Sequence, residues 1–335
     1  MKKSLIALAV LAASGASFAQ SSVTLYGVAD VWIGSMKSEV KGVGERQTYL
    51  NSGGAAGSRF GLKGSEDLGG GLKANFNLEQ GFAMDTGVQG TAGSAFNRQS
   101  WVGFSGGFGE VRLGRTTTPM DDVRGASEGV FDTDLSPRTY TAADATGGFT
   151  SRPNNTIYYH APTMGGFSGA LSYSLGEDKN VPAKTKTTST TSMNLTYGAG
   201  PVAVQFGYQV ETRKALDDAK FMTLGASYDL GMAKLMATYG QARNIKSING
   251  ADAKDWQLGV DFPVSSALTL SASYAKSDKN AKAGDTDGTG YGIGATYALS
   301  KRTMIYGGYE ADKTKNPGFV DSKHDLLAVG VNHSF

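Results

Sequence analysis

Apolar and polar residues alternate with period two along most of the chain. In Ser22 to Gly34, Val23, Leu25, Ala29, Val31 and Ile33 interleave with Thr24, Tyr26 and Asp30. In Gly57 to Gly64, Phe60 and Leu62 oppose Arg59, Gly61 and Lys63, and in Leu72 to Glu79 the apolar set Leu72, Ala74, Phe76, Leu78 opposes Lys73, Asn75, Asn77, Glu79. The pattern returns around Met193 to Tyr197, Val202 to Tyr208, Trp256 to Phe262 and Leu268 to Tyr274. Such alternation predicts β-strands with one greasy face. Roughly sixteen such runs fit between Ser22 and Phe335, inside the even-numbered range of bacterial membrane barrels.

The links between runs alternate in length. Short turns are expected at Glu66 to Gly71, Ser105 to Glu110, Ala161 to Gly166, Gly198 to Pro201, Asp229 to Met232, Pro263 to Ala267 and Leu299 to Arg302. Longer polar links are expected at Ser35 to Ala56, Ala83 to Phe96, Thr116 to Ser151, Gly176 to Ser189, Glu211 to Asp218, Arg243 to Ala253, Ser277 to Asp287 and Ala311 to Lys323. A membrane barrel needs this order of short periplasmic turns and long external loops. In hydrocarbon every backbone N–H and C=O needs an internal partner, so the sheet must close and leave no edge. The predicted fold is an all-β, transmembrane, antiparallel β-barrel of about sixteen strands, over residues 20–335.

Residues 1–19 read as a cleaved signal peptide: Lys2 and Lys3 at the start, an apolar stretch from Leu5 to Ala13, and small Ser17 and Ala19 flanking Phe18. Those two lysines account for the whole excess of 32 Lys+Arg over 30 Asp+Glu, so the mature chain is formally neutral and no nucleic-acid partner is expected. With Cys 0 there is no disulfide framework, thiolate metal site or cysteine nucleophile, and no cofactor is predicted. Glycine (47), tyrosine (15) and phenylalanine (15) suit strands and tight turns at a membrane better than a soluble enzyme. Trp32, Trp101, Tyr158, Tyr197, Tyr228, Trp256, Tyr274 and Tyr297 are expected in interfacial girdles. Gly288, Gly290, Gly292 and Gly294, spaced by two, miss the dinucleotide pattern and predict a smooth strand face against another surface.

Four stretches, SVTLYGVADVWIG, GSRFGLKGSEDLGGGLKANFNLEQGF, NRQSWVGFSGGFGEVRLGR and the closing DLLAVGVNHSF, together resemble the general porins of Gram-negative outer membranes, especially their beta-proteobacterial branch. The resemblance spans the mature chain. It implies a sixteen-stranded barrel in the outer membrane, a homotrimer, and a third external loop folded inward as a constriction, here 116–151. It implies arginines on the facing wall, which fall on Arg59, Arg98 and Arg152, with Phe335 as the terminal aromatic read by the barrel-assembly machinery. Where family members carry Pro-Glu-Phe-Gly-Gly in that loop, this chain has Ser127-Glu128-Gly129-Val130-Phe131-Asp132.

Strand phase places Arg59 and Lys63 on the polar side, Arg98 with Ser100 opposite Trp101, and Arg152 with Asn154, Thr156 and Tyr158. The loop offers Asp121, Asp122, Glu128, Asp132 and Asp134 in opposition, offset by Arg124 and Arg138. Fixed charges of opposite sign on two walls set up a transverse field that filters ions by sign. The predicted function is passive diffusion of ions and small hydrophilic solutes with a mild preference for anions, in contact with outer-membrane lipid and lipopolysaccharide. A substrate-specific channel for organic acids or sugars is the alternative. An enzymatic barrel is the remoter one, because only His160, His324 and His333 are available and none sits in a nucleophile motif.

Overall fold

The structure is a computed structural model that describes residues 22–40, 42–141, 148–176, 187–280, 282, 284–316 and 320–335. The expected signal peptide, Asp144 of the third loop and most of the 176–189 link lie outside the described residues.

The strands are β1 (Ser22–Val40), β2 (Arg46–Ser52), β3 (Arg59–Gly69), β4 (Leu72–Gly81), β5 (Gln99–Gly106), β6 (Gly109–Arg115), β7 (Thr156–His160), β8 (Phe167–Ser174), β9 (Thr187–Ala199), β10 (Val202–Arg213), β11 (Ala219–Asp229), β12 (Lys234–Arg243), β13 (Ala253–Pro263), β14 (Leu268–Lys279), β15 (Asp287–Ala298), β16 (Thr303–Lys315) and β17 (Ser322–Ser334). Consecutive strands pair antiparallel from β3 to β17, β1 pairs both β2 and β3, and β17 returns to pair with β1 from Val28↔Ser334 to Val40↔Ser322, which closes the sheet. The upper half of β1 pairs β2 (Val31↔Ser52 to Lys37↔Arg46) and its lower half pairs β3 (Ser22↔Ser65 to Val28↔Arg59). β2 and β3 are thus two parts of one barrel strand interrupted at 53–58, and the barrel is sixteen-stranded.

The two faces separate by chemistry. Val23, Leu25, Phe60, Leu62, Val102, Phe104, Leu195, Leu258 and Val329 are exposed, while Asp30, Gln205, Gln209, Thr223, Asp255, Gln257 and Ser271 on the opposite phase are buried. Apolar outside and polar inside is the pattern a lipid-embedded barrel requires.

Three differences from the sequence reading have physical causes. Strands reach further into the long links than expected: β1 runs to Val40, β10 to Arg213, β14 to Lys279 and β16 to Lys315. These ends are polar on both faces, so the period-two signal vanishes while backbone pairing continues. Trp32, Trp101 and Tyr158 do not belong to the girdles. Trp32 (4% exposed) and Tyr158 (2%) share the inward phase of Asp30 and Thr156, and Trp101 lies across from Asn77. Tyr228, Trp256, Tyr274 and Tyr297 are exposed on the apolar face, and Tyr197 joins them with its ring 4.6 Å from Phe167. Finally, Ser100 is outward, since Val102 and Phe104 on its phase are exposed; Arg98 reaches the inner side because it precedes β5, where its N–H donates to the Glu79 carbonyl at 3.2 Å.

Candidate functional site

The described part of the 116–151 segment, residues 116–141 and 148–151, leaves β6 and packs against the polar face of the opposite wall. Thr118 caps a short helix, Pro119–Arg124, by accepting from the Asp121 N–H at 3.3 Å, with Pro119 where no N–H is needed. The Met120 N–H donates to Ser192 Oγ (3.0 Å) on β9, and Asn194 Nδ2 donates to the Pro119 carbonyl (2.9 Å). Further on, the Val130 N–H donates to Ser271 Oγ (2.9 Å) on β14, and Thr238 Oγ1 on β12 donates to the Ser127 carbonyl (2.8 Å). A second short helix, Pro137–Thr141, follows.

Between the helices, Val130, Phe131 and Asp132 all hold positive φ (54°, 61° and 52°). For non-glycine residues this costs on the order of 1–2 kcal/mol each. What holds the turn is packing: Val130 is fully buried in a cluster with Trp32, Leu135, Tyr306 and Leu326. The glycines of β15 make room for it. A Cβ on Gly292 would collide with the Leu135 carbonyl oxygen, and one on Gly294 would lie 2.8 Å from Val130 Cγ1. Gly288 and Gly290 approach Thr141 and Pro137 in the same way.

Arg138 pins the segment. It is 2% exposed, contacts Glu128 at hydrogen-bond distance, donates to the Arg124 carbonyl at 3.2 Å and lies 3.6 Å from Asp255 on β13. Burial works to raise the Glu128 pKa, but Arg138 beside it overrides this and holds the carboxyl below its ordinary value. Glu128 is therefore an internal tether of the loop, not the pore-facing acid expected from the sequence.

On the near wall Arg59 and Arg98 share Glu79, at 3.6 Å and 2.7 Å. Glu79 also accepts from Tyr26 Oη at 2.9 Å. Arg152 meets Asp121 of the loop at 3.4 Å, and Asp121 is 3.7 Å from Arg124, which is 3.9 Å from Asp132. Arg115 donates to the Asn97 carbonyl and to Asn154 Oδ1, each at 2.7 Å. Arg98, Arg152, Arg124, Asp121, Asp132 and Asp134 line one cleft of about 440 Å³, bounded on the other side by Gly53 to Gly57, the break between β2 and β3. Burial pushes Asp134 up to about 6. Burial, helped by hydrogen bonding and charge from Glu128, pushes Asp132 up to about 8. Burial also raises Asp121, with Arg152 and Arg124 pulling the other way.

Two expected members lie apart. Asp122 faces the wall beside β7 and accepts from Tyr158 Oη at 2.8 Å. Lys63 sits four residues below Arg59 on β3, its Nζ 5.0 Å from the Tyr26 ring centre. Sequence reasoning missed Glu79, whose inward phase was visible but whose partners are not neighbours in sequence. Arg112 on β6 stacks between Trp101 (4.8 Å) and Tyr158 (4.9 Å) and pairs with Glu110 at 2.5 Å.

A family model described as Gram-negative porin matches residues 5–317. Outer membrane porin protein 32 of Delftia acidovorans is 36% identical over 99% of this chain and 94% of its own. An outer membrane porin protein of Bordetella pertussis is 30% identical over the whole of both. Among solved structures, an anion-selective porin from Comamonas acidovorans superposes with TM-score 0.79 at 30% identity, covering 94% of this chain and all of that one. A trimer form of OmpT from Vibrio cholerae shares the fold at TM-score 0.68 and 16% identity, covering 94% and 99%.

Proposed function

This chain belongs to the family of Gram-negative porins, and from that premise we propose that residues 116–151 narrow its water-filled channel against Arg59, Arg98 and Arg152, giving passive diffusion with a mild preference for anions. The outer membrane is its location, as for its relatives. The observation that carries the proposal is the charge at and beside the cleft. Arg98, Arg124 and Arg152 line it against Asp121, Asp132 and Asp134, and Arg59 and Arg115 adjoin it beside Glu79, while Glu128 is consumed by Arg138 and Asp122 by Tyr158. The raised pKa values of Asp132 and Asp134 weaken the negative side further near neutrality. Fixed guanidinium groups in a narrow, low-dielectric section concentrate anions there. Lys63 and Arg112 extend the basic wall towards the periplasmic end.

We place the chain among channels and not enzymes. His160 meets Ser168 at 3.2 Å, but Glu110, cross-strand from His160, is engaged by Arg112; His324 is held by Glu310 and Asp312, and His333 by Thr303. No described imidazole joins a nucleophile to an acid as a hydrolytic triad would. The exposed apolar face and the trimer form of a structural neighbour support a homotrimer, with lipid and lipopolysaccharide covering the remaining face. Residues 1–19 would be removed on export, and Phe335, whose N–H and C=O both pair with Gly27 at the barrel seam, would serve the assembly machinery.

The stack of Arg112 between Trp101 and Tyr158 favours a second reading, selection of carboxylated organic solutes. Liposome swelling with neutral sugars and organic acids of graded size separates the two. A cutoff that follows size supports general diffusion, and one that follows chemistry at equal size supports the specific channel.

A further inference from the structure

On the inner face of β16 and β17, away from the cleft, three side chains converge. Asp312 and His324 are direct cross-strand partners, and Glu310 lies two residues along β16 on the same face. Cross-strand pairing sets Cβ atoms about 5 Å apart, so these residues meet by register and not by chance rotamers. His324 Nδ1 is 3.0 Å from Glu310 Oε2 and 3.3 Å from Asp312 Oδ2, and one ligand atom from each residue fits within 4.8 Å. The Glu310 side chain is 0% exposed and its Oε1 is buried with no hydrogen-bond partner among the described residues.

His324 Nδ1 faces both carboxylates, and a single Nδ1–H cannot point along two carboxylate directions at once. A dication with one neutral imidazole and two carboxylates is neutral. Ligands at about 2.1 Å in a tetrahedron stand about 3.4 Å apart, close to the separations here. We propose that Glu310, Asp312 and His324 form a binding site for a borderline divalent transition metal of the Zn²⁺ type. Imidazole nitrogen with few oxygens suits such ions over Ca²⁺ or Mg²⁺, which take more oxygen ligands. On binding, Nδ1 loses its proton to solvent as the metal–nitrogen bond forms.

The location gives the site a consequence. A Cβ on Gly290, cross-strand from Asp312, would lie 3.0 Å from Pro137 and Thr141 and 3.1 Å from Asp312 Cβ, so the second helix of the loop rests against this wall. A bound ion would tie β16 to β17 directly beneath the loop's outer end.

Titration calorimetry of chelator-stripped, untagged, folded protein in detergent with ZnCl₂ tests this independently of channel activity. The expected result is one Zn²⁺ per chain, bound at least tenfold more weakly by His324→Ala and by Asp312→Asn, and not displaced by an equal concentration of Ca²⁺. Heat-dependent gel mobility verifies that each variant is folded; if His324→Ala is not, Asp312→Asn, which keeps the side-chain volume, decides. Absence of Zn²⁺ uptake, unchanged affinity in the folded variants, or equal displacement by Ca²⁺ would overturn the proposal.

Discussion

Asp30 shows how much one buried charge organises. It is 0% exposed and accepts from Tyr306 Oη (2.7 Å), Asn332 Nδ2 (2.7 Å), the Ala56 N–H (3.1 Å) and the Ala55 N–H (3.3 Å). It thereby fixes the 53–58 break that forms one side of the cleft. Asp30→Ala strands these donors at once, and hydrogen bonds to a charged group are worth about 1.5–3 kcal/mol each. The variant is expected to lose about 3 kcal/mol or more in urea unfolding followed by tryptophan fluorescence; Tyr306→Phe should lose about half as much. Asp132 and Asp134 carry a different prediction. Their folded pKa values, about 8 and about 6, lie above the ordinary aspartate value of 3.8. Their protonation therefore favours the docked loop: that contribution is fully present below about 3.8 and is lost as pH rises through 6 and then 8. Ionisation also adds negative charge to the cleft. Anion preference should fall stepwise between about pH 5 and pH 9, and Asp132→Asn should remove the upper step. A selectivity independent of pH over that range would contradict the assignment.

At the scale of elements, the inserted segment depends on a groove made for it. The alternating glycines of β15 were legible as a smooth face, and Arg59 as an inward residue, because both follow from period two; Arg98 and Arg152 precede β5 and β7, so strand phase does not place them. Glu128 was not, because its partner Arg138 is fixed by Asp255, more than a hundred residues later, and no local pattern carries that contact. The three inward aromatics failed for a related reason: an aromatic ring near a strand end suits lipid interface and polar lumen alike, and only the burial of its neighbours decides. Leu326, at 0% exposure on the inward phase, breaks the alternation because the loop covers it. These contacts predict that Arg138→Ala, which leaves Glu128 and Asp255 buried without their cation, frees the segment. Single-channel conductance should rise and larger sugars should enter in liposome swelling. Gly292→Ala should act in the same direction through its collision with the Leu135 carbonyl, whereas Gly198→Ala, with nothing within 4 Å of the new methyl, should leave conductance unchanged.

For the whole molecule, closure is the organising fact. Sixteen strands with one greasy face cannot leave an edge in hydrocarbon, and β1 with β17 forms the seam that removes it. Phe335 ends that seam with paired N–H and C=O and a 46% exposed ring. Phe335→Ala is expected to lower the yield of folded, heat-modifiable barrel in outer membranes severalfold while refolding in detergent is nearly unchanged, which separates assembly from stability. Within the closed wall, the proposed selectivity rests on the arginines at and beside the cleft. The most direct test is the zero-current potential of single channels in a tenfold KCl gradient at neutral pH. The wild-type protein is predicted to give the sign of anion preference, and Arg98→Glu to move the potential towards the cation side; a wild-type potential of cation sign, or one that Arg98→Glu leaves in place, would contradict the account.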